Sequence, residues 1–293
     1  MGRVCIVVVT YNRLELLKEV VESLRNQTYT ECQILVVNNG STDSTLEWLS
    51  LQSDIITITQ ENCGGAGGFH TGMKYAAENE YDYCWVMDDD VISEPNALEE
   101  LICSISRKDN IGYVCSRVIG TDGRAMNTPS VDNRGKNGFY PDFCDLIEYR
   151  MIKVSSATFV SVLVPCSIIK SVGLPYKEFF IWGDDTEFTL RISSRYDCYM
   201  SCNSVVMHKR AIQKQLTIEE EKDKKRLKNY FYNIRNCGFY TNKYCNIQEK
   251  IIYHLWIWKL IISNITKPYK VLTVLRGYFA FFGFRPQLKY PQV

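Results

Sequence analysis

Short apolar runs alternate with helical patterns from residue 3 to about residue 118. The runs are RVCIVVVT, CQILVVNN, DIITITQ, YDYCWVM and IGYVCSRV; between them lie RLELLKEVVESLRNQ, STLEWLSL, FHTGMKYAAENE and EPNALEELICSISR. That rhythm predicts βαβ units and an α/β fold, a mostly parallel sheet with helices on its faces. Ligands in such sheets bind beyond the carboxyl ends of the strands. TYNR, NNGSTD, ENCGGAGG and DDD all fall at those ends, so four polar motifs converge on one edge.

Residues 120–150 lose the periodicity and read as a long loop, functional or mobile in a compact domain. A lid is one reading. An apolar strand, SATFVSVLVP, follows, then a helix opened by GDDTEFTLRISSR and a strand DCYMSCNSVVMHK. Beyond about residue 212 the pattern is helical only. The chain therefore divides into a sheet domain over 1–211 and a helical extension over 212–293. Within the extension, residues 251–265 are apolar and aromatic, with Trp256 and Trp258, but His254 and Lys259 interrupt them. About 15 residues is short of the roughly 20 needed to span a bilayer. Two readings stay open: an interfacial helix pair flanked by Lys267, Lys270, Arg276 and Arg285, peripheral on the cytoplasmic face of a membrane, or a surface that packs on the first domain or forms a homodimer.

With 293 residues and 46% hydrophobic content, the chain can bury a substantial core. Its 34 basic and 33 acidic residues nearly cancel, which argues against nucleic acid as a partner. The first apolar run is too short and too poorly flanked for a signal peptide and suits a buried strand. Twelve cysteines are scattered without zinc spacing, the usage of reduced thiols in a cytoplasmic core.

Five stretches carry candidate chemistry. GGAGG at 64–68 is costly to order; a phosphate cradled at the start of the helix that FHTGMKYAAE begins would explain it, and so would a ligand-free tight turn. In WVMDDDV, three adjacent carboxylates repel one another, and strand alternation puts Asp88 and Asp90 on one side, able to grip one divalent ion, with Asp89 on the other. The alternative is a solvated acidic turn. In FFIWGDDTEF, an N-cap at Asp184 would pair with Glu187 in a capping-box arrangement. Asp185 is then left without a structural task and is free to act as a general base, or simply to favour the helix dipole. His208 ends a predicted strand; imidazole suits manganese better than magnesium, and beside Asp88 and Asp90 it reads as a third ligand rather than a structural residue. Asn38 and Asn39, before a second capping box of Ser44 and Glu47, fit either a nucleobase edge or an Asn-Gly turn.

Taken in order, VVVTYNR, VVNNGSTDST, NCGGAGGFHTGM, WVMDDDV, FFIWGDDTEFTLR and VMHK resemble an inverting, nucleotide-sugar-dependent glycosyltransferase of family 2 with the GT-A fold. The Gly-rich stretch, the triple Asp and YFYNIRN are most similar to its galactofuranosyltransferase and rhamnosyltransferase branch. The resemblance covers about residues 3–240. It implies a donor site around Thr10, Asn12, Arg13, Asn39, Asn62, Gly64, Gly65, Gly67, Asp88, Asp89 and Trp182. It also implies a manganese or magnesium ion on Asp88, Asp90 and His208, and a base at Asp185, with Asp184 the competing choice because GDD replaces the ED of other branches. The implied activity is transfer of galactofuranose from UDP-galactofuranose to a hydroxyl of a glycan or lipid-linked acceptor in bacterial surface polysaccharide synthesis. Transfer from dTDP-rhamnose is the nearest alternative. A sugar nucleotidylyltransferase would carry a basic N-terminal signature that is missing here, and a non-catalytic nucleotide-sugar binding protein would not need the intact acidic set.

Overall fold

A computed structural model describes residues 2–135, 139–210 and 217–292. The first half alternates as its pattern predicts: β1 (Val4–Thr10), α1 (Leu14–Arg25), β2 (Cys32–Asn38), α2 (Thr45–Ser50), β3 (Ile55–Thr59), α3 (Gly64–Glu78), β4 (Tyr83–Asp88), β5 (Val91–Ser93), α4 (Ala97–Ile105) and β6 (Ile111–Gly120). β7 (Ser130–Val131), β8 (Met151–Ser156), β9 (Val162–Pro165), α5 (Cys166–Val172), α6 (Asp184–Ser193) and β10 (Asp197–His208) follow. The single strand expected over SATFVSVLVP is instead the end of β8, a turn, and β9.

Among the described residues the strands form one sheet in the order β3-β2-β1-β4-β9-β6-β10-β8-β7, with β5 paired to β10. β1 runs parallel to β2 and β4, and β2 to β3. β9 runs antiparallel to β4 and β6 on either side of it. β1 is buried along its whole length, as a central parallel strand covered on both faces must be. Alternate residues feed two cores. Ile6 and Val8 pack with Leu17, Val20 and Leu98 on one face, while Val7 and Val9 pack with Phe69, Met73 and Phe188 on the other.

The loop after β6 is anchored rather than detached: Ile119 bridges Ala125, and β7 pairs with β8. The expected domain boundary at 211/212 lies outside the described residues. Beyond it come α7 (Leu227–Tyr244), α8 (Ile247–Ser263), opened by an Asn246–Glu249 capping box, and α9 (Pro268–Gly283). These helices share a small core of Leu227, Ile234, Tyr253, Ile257, Leu260 and Val274, against which Trp182 packs. A second cluster joins Ala66, Tyr176 and Phe179 to Phe239, Tyr240 and Phe284, so the helical extension is packed onto the sheet domain. All twelve cysteines are free. Among the described residues no helix is long and apolar enough to cross a membrane.

Candidate active site

The acidic cluster is built by strand pairing. β4 ends at Asp88, the chain turns through Asp89 and Asp90, and β5 pairs antiparallel with the end of β10, setting His208 opposite Val91. The Lys209 N–H donates to the Asp90 carbonyl at 2.8 Å and locks the register. One ligand atom each from Asp88, Asp90 and His208 consequently lies within 4.8 Å of the other two. His208 Nε2 is 3.0 Å from Asp90 Oδ1, and its Nδ1 is 2.9 Å from Asn127 Oδ1. The Asn127 contact fixes the ring so that Nε2 faces Asp90 and the acidic cluster. Asn127 comes from the loop after β6 and was not anticipated. Its left-handed φ of 46° is one that Asn tolerates better than most residues, but nothing in its sequence neighbourhood points to His208.

Asp89 lies in the turn after β4 and finds other partners. It accepts the Thr10 hydroxyl at 2.7 Å and Arg13 Nη1 at 3.0 Å, while the same Arg13 nitrogen reaches Asp90 at 2.9 Å. One guanidinium thus bridges two carboxylates. Burial, and then the charges of Asp90 and Asp89, push Asp88 well above the usual carboxylate range. Burial also works to raise Asp90, but its contacts with His208 and Arg13 outweigh it and hold that group low.

The second acidic group stands at the start of α6. Phe180, Trp182 and Gly183 have φ of 64°, 61° and 88°; left-handed backbone at two aromatic residues costs of order 1–3 kcal/mol each and persists only when neighbours enforce it. α7 supplies the enforcement. The buried Asn236 amide donates to the carbonyls of Phe179 (3.0 Å), Ile181 (3.2 Å) and Trp182 (2.7 Å). Arg235 donates to the Glu178 carbonyl at 2.7 Å and to Asn236 Oδ1 at 2.8 Å. These two residues lie in the YFYNIRN stretch, and their role as a clamp was not foreseen.

The expected capping box at Asp184 does not form. Gly183, in the left-handed region, is the N-cap, so Asp184 is the first helical residue and no side chain caps the end. Glu187 turns into the core, where it pairs with Arg191 at 2.8 Å and accepts the Tyr244 hydroxyl at 2.6 Å. Asp184 is 6% exposed, and burial followed by the Asp185 charge pushes its carboxyl up to about 8. Half-buried Asp185 is also raised by burial, but the Thr186 N–H, 2.6 Å from Oδ1, and the Thr186 hydroxyl favour its charged form. The Asp185 charge is the smallest of the named influences that raise or lower Asp88.

The Gly-rich stretch is helix, not loop: α3 begins at Gly64 rather than at Phe69. Most of these glycines answer to packing. A Cβ on Gly64 would stand 1.9 Å from the Phe180 carbonyl oxygen, one on Gly67 2.4 Å from Cys63, one on Gly68 2.3 Å from Val9, and one on Gly72 2.2 Å from Val7. Only Gly65, among those in α3's first two turns, faces open space. Phe180 O also accepts the Ala66 N–H at 3.2 Å, which ties the strained turn to the start of α3.

The remaining predicted residues are engaged with neighbouring loops. Asn39 is buried, and both ends of its amide are engaged, with the Gly64 carbonyl, Gln60 and the Cys63 N–H. Asn62 accepts the Gly64 N–H at 2.9 Å. Asn12 Oδ1 accepts the Thr42 N–H at 2.7 Å. Trp182 packs edge-on against Tyr230. The second expected capping box is absent too: the Ser44 side chain makes no cap, and Asp43 accepts the Thr45 N–H instead.

Comparison with known proteins bears on the family and the fold. The sequence model described as Glycosyl transferase family 2 matches residues 5–159. The chain is 24% identical over 206 residues to a galactofuranosyltransferase, GlfT1, of Mycolicibacterium smegmatis, and 26% identical over 201 residues to that of Mycobacterium tuberculosis. Each match takes in 64% of this chain, and 65% and 63% of the respective relative, so the similarity stops short of two thirds of their length. Among solved structures, GalNAc-T7 with UDP, GalNAc and Mn2+ superposes with a TM-score of 0.60 at 14% identity, over 92% of this chain and 58% of that one. TarS of S. aureus gives 0.58 at 13% identity, over 94% and 55%. The fold is GT-A.

Proposed function

The chain belongs to glycosyl transferase family 2, and from that premise we propose that it is an inverting, metal-assisted glycosyltransferase whose donor is UDP-galactofuranose and whose acceptor is a hydroxyl of a glycan or lipid-linked oligosaccharide. The galactofuranosyltransferase relatives support the choice of sugar. The observation that carries the reading is the cluster of Asp88, Asp90 and His208 at the ends of β4 and β10, one ligand atom of each within 4.8 Å of the others.

The first group fits a divalent cation. Two carboxylates and an imidazole suit manganese, and magnesium less well. Asp90 Oδ1 has His208 Nε2 as its near partner at 3.0 Å, a carboxylate oxygen and an imidazole nitrogen that one cation could take together as ligands. Asp88, Asp90 and His208 would hold the ion, which when bound supplies Lewis-acid stabilisation of the charge on a departing nucleoside diphosphate. Arg13 bridges Asp89 and Asp90, offsetting their mutual repulsion and orienting them. Asp185 accepts the proton of the attacking acceptor hydroxyl; a single base and attack from the face opposite the leaving group invert the anomeric centre. Asp184, whose carboxyl keeps its proton near neutrality, does not compete for that proton.

The test is a donor screen read by nucleoside diphosphate release and product analysis. UDP-galactofuranose with manganese should be turned over, dTDP-rhamnose much more slowly, and Asp90→Ala should be inactive. Undiminished turnover in excess chelator would refute the metal, and turnover of dTDP-rhamnose alone would refute the sugar.

A further inference from the structure

We propose that the outward faces of α8 and α9 dock on an anionic phospholipid bilayer, lying in its interface without crossing it. α8 carries two apolar stripes. Tyr253, Ile257 and Leu260 face the protein, and Ile247, Ile251, Leu255, Trp258 and Ile262, spaced four, four, three and four apart along the other side, are 52–69% exposed. A helix with water on that side would be polar there. On α9, Leu272 and Phe279 are likewise exposed, at 46% and 65%.

Charge identifies the occupant. From residue 250 to 293 there are seven Lys and Arg and no Asp or Glu, so the rest of this nearly neutral chain is net negative. Lys259, Lys267 and Arg276 are exposed beside the apolar positions. A second copy of the same face would bring cations against cations with one acid per copy, Glu249, which is already held in the capping box with Asn246, because a two-fold interface matches a patch with itself. Anionic headgroups pair them instead, while Trp258 and Tyr269 sit at the headgroup level and the lysine stems cover apolar surface. No described helix is long and apolar enough to span, which leaves the interfacial position.

Flotation of the full chain with vesicles tests this without any sugar substrate, independently of the transferase reading. The chain should float with phosphatidylglycerol vesicles, remain largely behind with phosphatidylcholine, and be released at about 1 M salt, where screening acts within about 3 Å. The double variant Leu255→Glu, Ile262→Glu, changed only at exposed positions, should keep its circular dichroism and lose flotation. Replacing Lys259, Lys267 and Arg276 together by Gln should weaken binding about a hundredfold, at roughly fivefold per charge. Equal flotation with both lipids, or retained flotation of the Glu variant, overturns the proposal. So does a chain that ignores vesicles but sediments as a dimer dissolved by the same two substitutions, which would assign the face to a second copy.

Discussion

Replacing single glycines of α3 by alanine separates the two reasons for a Gly-rich segment. At Gly68 the new methyl would lie 2.3 Å from Val9 Cγ1, more than 1 Å inside normal contact, against a strand held in the core. Overpacking of that kind costs about 1–3 kcal/mol, and the overlap argues for the upper part of that range. The helical gain of alanine over glycine returns at most about 1 kcal/mol, leaving a net loss of about 1–2 kcal/mol. At Gly65 the methyl meets nothing within 4 Å, so only the gain remains and the two variants should differ by about 2–3 kcal/mol. Urea unfolding should move their midpoints in opposite directions. Calorimetric titration with UDP should then reverse the ranking: Gly65→Ala loses tenfold or more in affinity because its methyl occupies space the nucleotide needs, and folded Gly68→Ala binds nearly as the parent does. If Gly65→Ala binds UDP unchanged, the open space is not the donor's. If Gly68→Ala is as stable as Gly65→Ala, the packing argument fails.

Asp185→Asn should keep donor binding and lose roughly two to four orders of magnitude in transfer, the usual contribution of a general base; near-normal turnover in a coupled assay would remove it from that role. For Asp184, a folded value raised from 3.8 to about 8 means the folded state binds the extra proton, so stability is fullest below pH 4 and declines up to pH 8, by at most about 1.4 kcal/mol per pH unit. Asp184→Asn should flatten that decline in urea midpoints taken from pH 5 to 8, and parallel curves would contradict the burial of this carboxyl. Asn236→Ala removes a shared donor from three carbonyls and should lower kcat at least tenfold. Its stability cost should be only about 1–3 kcal/mol, because relaxation of Phe180 and Trp182 offsets part of the loss; a variant with unchanged kcat would show that the turn holds without the clamp.

Asp88 and His208 were legible because they end apolar strands, a local property of the pattern. Asp89 and Asp90 lie in the turn after β4, where the period of two no longer applies and the Lys209–Asp90 backbone bond and Arg13 set their directions. The start of α3 was not legible. Glycine composition argues for a loop, and what overrides it is the approach of the helix to Val7 and Val9, a fact of tertiary structure. The capping reading failed by one residue because Gly183 adopts a left-handed conformation and takes the N-cap position. Asn236 was invisible as a clamp for a plainer reason. Its partners lie 54 to 57 positions earlier in the chain, and no periodic pattern links a helical asparagine to distant carbonyls.

That separation gives the molecule an order of assembly. Domains generally fold as units during synthesis, the N-terminal part first, so the strands carrying Asp88, Asp90 and His208 are available to pair while α7 is still being made. The turn before Asp185 has no such independence, since its carbonyls wait for Asn236 and its backbone strain has nothing to hold it until then. If Asp185 is the base proposed above, a nascent chain acquires the Asp88–Asp90–His208 cluster before the turn that presents it, and that turn is completed only by the docking of α7.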